Sequence, residues 1–96
     1  MPEPMSAQEL VQTREGTHGS FGENAKVTQA IKRIVRNSPC YEALNDTQKE
    51  AVDRIAMKLG RIVGGNPNVE DHWDDLGGYA ELGKQGIIVH SVRPKN

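Results

Sequence analysis

The 96 residues predict an all-α fold, a small helical bundle of about three to four helices, and three observations carry that reading. Apolar residues recur at three- and four-residue spacing rather than in strict alternation. Residues suited to helix N-caps stand in front of the periodic segments. Clusters of Gly, Asn and Pro punctuate the gaps between them.

The elements follow in order. Ser6 and Glu9 form a capping-box pattern that opens a short helix over 7–14, which Glu15-Gly16-Thr17-His18-Gly19 breaks. Ser20 and Glu23 repeat the pattern, and Ala25, Val27, Ile31, Ile34 and Val35 keep helical spacing up to Arg36. Asn37-Ser38-Pro39 stops that helix. Asn45, Asp46 and Thr47 are all suitable N-caps for the clearest helix of the chain. Along it Val52, Ile55, Ala56, Leu59, Ile62 and Val63 form an apolar stripe, with Glu50, Arg54, Met57 and Arg61 opposite. Gly64-Gly65 ends it, Asn66-Pro67-Asn68 is a turn, and an Asp-rich helix follows over 70–82. There Trp73, Leu76, Gly77 and Ala80 are expected to face inward. A strand over 87–92 would have no partner, so 86–96 reads as an extended tail, outside an ordered core of about 6–84.

Composition narrows the function classes. The apolar fraction is 35% and the aromatic fraction 4%, low for a chain that must build its own core. A second copy would supply missing core, so a homo-oligomer is expected, with the stripe of Val52, Ile55, Leu59 and Ile62 packed between copies. A net charge of −1 gives no electrostatic footprint for nucleic acid or an anionic membrane. With Cys40 the only cysteine, an intramolecular disulfide and a cysteine-based zinc site are both excluded. The start Met1-Pro2-Glu3-Pro4 has neither a basic nor an apolar run of the signal-peptide kind, and no apolar stretch reaches membrane-spanning length. A soluble, cytoplasmic protein is expected.

The segment Asp71-His72-Trp73-Asp74-Asp75-Leu76-Gly77-Gly78-Tyr79-Ala80 concentrates the chemistry. Asp71 and Asp75 lie four residues apart, one above the other on a helix. Two such carboxylates repel unless a cation, a basic side chain or a proton sits between them. Two readings compete: a divalent metal held by Asp71 and Asp75, or an ion pair from Asp75 to Lys58 or Arg61 across a helix interface. Lys58 and Arg61 could equally cradle a phosphate, since an Arg fork binds phosphate oxygens in pairs. His18 sits in a turn before a helix start, where free backbone N–H groups can hold an anion. His72 reads as a surface or cap-region histidine. Gly77-Gly78 lowers helix propensity by about 1 kcal/mol per residue, so another helix, or a ligand, is expected close by.

Three blocks carry a resemblance. Arg14-x-x-Thr17-His18-Gly19-x-Phe21-x-x-Asn24-Ala25, then Ala51-x-x-x-Ile55-Ala56-x-Lys58-x-x-Arg61-Ile62, then Asp71-x-Trp73-x-Asp75-x-x-Gly78-Tyr79-Ala80 resemble a family of small phage and prophage proteins. That family is distantly similar to phage nucleotide-modification-associated domains and, more remotely, to all-α nucleoside triphosphate pyrophosphohydrolases of the MazG type. The resemblance implies a helical bundle with a ligand site at His18, Asn24, Lys58, Arg61, Asp71, Asp75 and Tyr79. The pyrophosphohydrolases hold magnesium with a Glu-Glu-x-x-Glu block and a Glu-x-x-Asp block. Here Asp75 matches the last position of the second block, His72 replaces its Glu, and the first block is replaced by Glu50-x-x-Asp53 followed by Lys58 and Arg61. The expectation is therefore a non-catalytic accessory protein with no cofactor, binding a nucleotide or a host or phage protein in a bacterial cytoplasm. The alternative is a magnesium-dependent pyrophosphohydrolase.

Overall fold

Helix-start chemistry accounts for where the first three helices begin. In the computed structural model, which describes residues 4–87 apart from Gly19 and leaves out the side chains of 15–18, α1 spans Ala7–His18, α2 Phe21–Arg36, α3 Asp46–Val63 and α4 Glu70–Gln85. A single 3-10 turn, Tyr41–Ala43, joins α2 to α3. No strand occurs among the described residues, and no helix there is long and apolar enough to cross a membrane. The expected tail from residue 88 onward lies outside the described residues.

The Ser6 box forms as the sequence indicates: Ser6 N–H donates to Glu9 Oε1 at 2.8 Å, and Glu9 N–H donates to Ser6 Oγ at 3.1 Å. At α2, Glu23 N–H donates to Ser20 Oγ at 3.1 Å. Of the three candidate caps on α3, Asn45 serves, in a reciprocal box with Gln48 at 2.9 and 3.0 Å. Its amide also donates to the Gly86 carbonyl at 2.7 Å, tying the end of α4 to the start of α3. The expected break at 15–19 comes later, because α1 continues through Gly16 to His18. A single interior glycine lowers helix propensity without ending a helix.

Helix α3 lies between α2 and α4, antiparallel to both. Arg36 reaches Asp53 at 3.5 Å on the α2 side, and Asn45 meets Gly86 on the other. Both seams close on small residues. A Cβ added at Gly60 would stand 2.9 Å from the Asn24 carbonyl oxygen and overlap the Thr28 hydroxyl. A Cβ at Gly83 would touch Ala51, and one at Gly86 would press on Thr47. Such positions let two backbones approach closely, as larger side chains would not.

This packing corrects three sequence expectations about α4. The residues that face α3 are His72, Leu76, Tyr79 and Gly83, not the set containing Trp73, Gly77 and Ala80. Trp73 is 53% exposed, and Gly77 and Ala80 are exposed too. The rotation has a cause: Gly83 and Gly86 permit the closest approach, and they set the seam ahead of hydrophobicity. Around Gly77 and Gly78 nothing lies within 4 Å of an added Cβ, so the Gly pair marks no close neighbour. On α3 the buried residues are Ala51, Ala56, Lys58, Gly60 and Ile62, while Val63 at the end of the expected stripe is exposed.

Candidate functional site: a cationic seam between two helices

The seam between α3 and α4 carries a ladder of cations. Arg54, Lys58 and Arg61 follow at four- and three-residue spacing, so they share one side of α3. Helix α4 runs antiparallel and sets Tyr79 and Asp75 against them.

At the centre, Lys58 Nζ donates to Asp75 Oδ2 at 2.7 Å. The two partners are placed unequally: the Lys58 side chain is 6% exposed and that of Asp75 48%. The ammonium is thus the enclosed member, and its counter-ion stands at the rim. The hydrogen bond from Lys58 pulls the Asp75 carboxyl below its ordinary 3.8, and the nearby charges of Lys58, His72 and Arg61 act in the same direction. Two cationic side chains, Lys58 and Arg61, thus act on one carboxylate. Arg61, half-buried, makes no ion pair among the described residues.

Among the described residues, His72 is the most enclosed large side chain, at 1% exposure. The sequence reading of a surface histidine is therefore corrected. Three residues before Asp75, His72 comes round to the α3 side once the seam rotates as described above. Its Nδ1 and the Oδ1 of Asn24 are both shut off from solvent. Asn24 sits at the other seam, beside Gly60 and Gly64 of the same end of α3.

One turn along the ladder, the Arg54 guanidinium lies 5.9 Å from the Tyr79 ring centroid, within cation–π range. Arg54 Nε also donates to Glu50 Oε2 at 2.8 Å. An open cleft of ≈ 520 Å³ begins here, bordered by Asp46, Thr47, Glu50, Ala51, Arg54, Tyr79 and Leu82. Its size falls in the range of small-molecule sites.

Of the residues singled out from the sequence, Lys58, Arg61 and Asp75 come together, and Tyr79 lies one turn away on the same seam. Asn24 belongs to the neighbouring α2 seam. Asp71 is exposed at the first turn of α4. His18 closes α1, and its side chain lies outside the described residues. Sequence reasoning passed over Arg54 and His72. A signal for Arg54 was present, since it precedes Lys58 by one turn.

The two carboxylates Asp71 and Asp75 do not fit a magnesium ion. Asp75 already accepts from an enclosed ammonium through Oδ2, and a metal cation on the same carboxylate would face Lys58 at close range. Magnesium requires a near-octahedral oxygen shell. Among the described residues no three His, Cys, Asp or Glu side chains gather to provide one. What the seam can do chemically is hold an anion: an Arg fork and a shared Lys ammonium suit phosphate oxygens.

Comparison with protein-family models, with curated proteins and with solved structures found no match for this chain.

Proposed function

We propose that this chain is a non-catalytic accessory protein of phage or prophage type, acting in the cytoplasm of a bacterial host, that binds a nucleotide-like ligand along the α3–α4 seam. The observation that carries the reading is the excess of cationic groups around one rim carboxylate, with Arg61 making no ion pair among the described residues. In this reading Arg61 takes the ligand's phosphate, and Lys58 is shared between that phosphate and Asp75. The less polar part of the ligand lies in the cleft beside Tyr79 and Leu82. Binding is favoured over metal-dependent hydrolysis because a magnesium ion on Asp75 would stand beside the Lys58 ammonium that already holds Oδ2.

Thermal stability with added ligand tests the proposal. In buffer containing a chelator, a nucleoside triphosphate is expected to raise the melting temperature, and the matching nucleoside to raise it far less. A ligand at 100 times its Kd stabilises a folded protein by about 2.7 kcal/mol. Arg61→Gln should remove most of the shift without lowering the melting temperature of the free protein. An equal shift in wild type and variant would show that the phosphate is not held at this seam.

A further inference from the structure

The polar stripe on the α4 side of α3 begins about two turns before the cation ladder. Asp46, Glu50, Arg54 and Lys58 recur at four-residue spacing and Arg61 follows at three, so all five share one side of the helix. Their signs are segregated: the carboxylates stand at the start of α3 and the cations toward its end. Both carboxylates border the ≈ 520 Å³ cleft, together with Arg54, Tyr79 and Leu82. Leu82 is 52% exposed, so the cleft keeps an apolar wall open to solvent. The seam is therefore bipolar, with an anionic, aromatic cleft at one end and surplus cations at the other.

The two carboxylates are not equivalent. Glu50 Oε2 accepts from Arg54 Nε at 2.8 Å, and hydrogen bonds to Glu50 first and Tyr79 second hold the Arg54 guanidinium above its ordinary value. Arg54 and Tyr79 thus form a pair of flat groups, the guanidinium 5.9 Å from the ring centroid. Asp46 makes no side-chain hydrogen bond or ion pair among the described residues. Lys49, whose charge it favours, donates instead to Glu42 at 3.1 Å. A carboxylate in the first turn of a helix suits the macrodipole, which explains an acid at this position but not its place on a cleft.

These features suit a flat ring that carries adjacent N–H donors. Every base stacks on Tyr and Arg, so stacking does not choose among them. An ionised carboxylate only accepts, and that does choose. Guanine presents N1–H and N2–H side by side and can fill both carboxylate oxygens at once. Adenine and cytosine set an acceptor nitrogen beside their amino group, and uracil flanks its N–H with two carbonyl oxygens that a carboxylate repels. Fifteen residues separate Asp46 from Arg61, about 22 Å along the axis, a span for an elongated ligand with base and phosphates at opposite ends. We infer that the ligand of this seam is a guanine nucleotide, its base against Tyr79 and Arg54, its N1–H and N2–H edge on Asp46, and its phosphates toward Arg61. The inference rests on the phosphate-binding reading given above.

Titration calorimetry of the full chain in chelator, with GTP, inosine triphosphate and ATP, tests the inference. Inosine triphosphate keeps N1–H and the neighbouring carbonyl of guanine but lacks its amino group. Wild type is expected to bind GTP about tenfold or more tighter than either competitor, the factor for one hydrogen bond to a charged group. Asp46→Asn presents a donor in place of one acceptor oxygen and should bring GTP down to the affinity of inosine triphosphate. Selectivity is the readout, because loss of a helix-start charge alone lowers stability without changing the ratio of the two affinities. Equal affinity for the three triphosphates overturns the base assignment and leaves the phosphate site standing. A preference for GTP that survives Asp46→Asn overturns the placement of the base on Asp46. Failure of every triphosphate to bind removes this inference together with the reading beneath it.

Discussion

Two glycine-to-alanine substitutions of identical chemistry should move stability in opposite directions. At Gly60 the added methyl would stand 2.9 Å from the Asn24 carbonyl oxygen and overlap the Thr28 hydroxyl. Thr28 can rotate, but the carbonyl belongs to the α2 backbone and yields only if the two helices separate. Overpacking of this kind costs about 1–3 kcal/mol, and a backbone neighbour puts it at the upper end. Helix propensity returns about 1 kcal/mol, leaving a net loss of about 2 kcal/mol. At Gly78 nothing lies within 4 Å of the new methyl, so only the propensity gain of about 1 kcal/mol remains. For a domain of this size each kcal/mol moves the melting temperature by about 4–8 °C. Gly60→Ala should therefore melt some 8–16 °C lower and Gly78→Ala some 4–8 °C higher. Calorimetry of the three proteins at one fixed concentration checks both. A Gly60→Ala protein as stable as wild type would refute the close α2–α3 approach. A destabilised Gly78→Ala protein would mean that something does pack against that part of α4.

The unequal burial of the central ion pair gives a second expectation: Asp75→Asn, which leaves an enclosed ammonium without its counter-ion, should lower the melting temperature more than Lys58→Met, which leaves a rim carboxylate that water can solvate. Double substitution to Lys58→Met with Asp75→Leu should recover what Asp75→Asn loses, as thermal denaturation of the set will show. The Asp75 carboxyl is depressed in the folded state, so its stabilising contribution is present above the ordinary value of 3.8 and is lost as pH falls through the lower folded value. Melting curves of wild type and Asp75→Asn should accordingly be well separated above the ordinary carboxyl range and draw together as pH falls below it. Asn45→Ala removes the α3 cap and the tie to Gly86, and urea denaturation should report a loss of about 0.5–2 kcal/mol.

The local chemistry of this fold was legible because caps act over three residues. The boxes at Ser6 and Asn45 and the cap at Ser20 stand where the sequence puts them. The pairing of Asp75 with Lys58 was also legible, as one of two partners that helix spacing allows. What the sequence concealed was the rotation of α4. The sequence pattern favours Trp73, Leu76, Gly77 and Ala80 as the inward set, whereas close backbone approach at Gly83 and Gly86 turns His72 and Tyr79 to α3 and keeps Leu76 alone of the expected four. Hydrophobic periodicity identifies which side of a helix must be covered, not which neighbour covers it. Of the expected α3 stripe, Ala56 and Ile62 are buried, whereas Val52, Ile55 and Leu59 are only partly covered and Val63 is exposed. His72 was misjudged for the same reason, since its burial follows from the rotation and not from its own polarity.

The central claim is that the α3–α4 seam holds a phosphate-bearing ligand without transforming it. Titration calorimetry of the full chain with a nucleoside triphosphate, in chelator, with phosphorus NMR of the same sample, tests it most directly. The account predicts saturable binding in wild type, affinity lowered about 10- to 150-fold by Arg61→Gln through loss of a charged hydrogen bond of about 1.5–3 kcal/mol, and phosphorus resonances of the intact triphosphate only. Absence of binding heat in wild type, unchanged affinity in Arg61→Gln, or the appearance of pyrophosphate and monophosphate resonances once magnesium is supplied would contradict it.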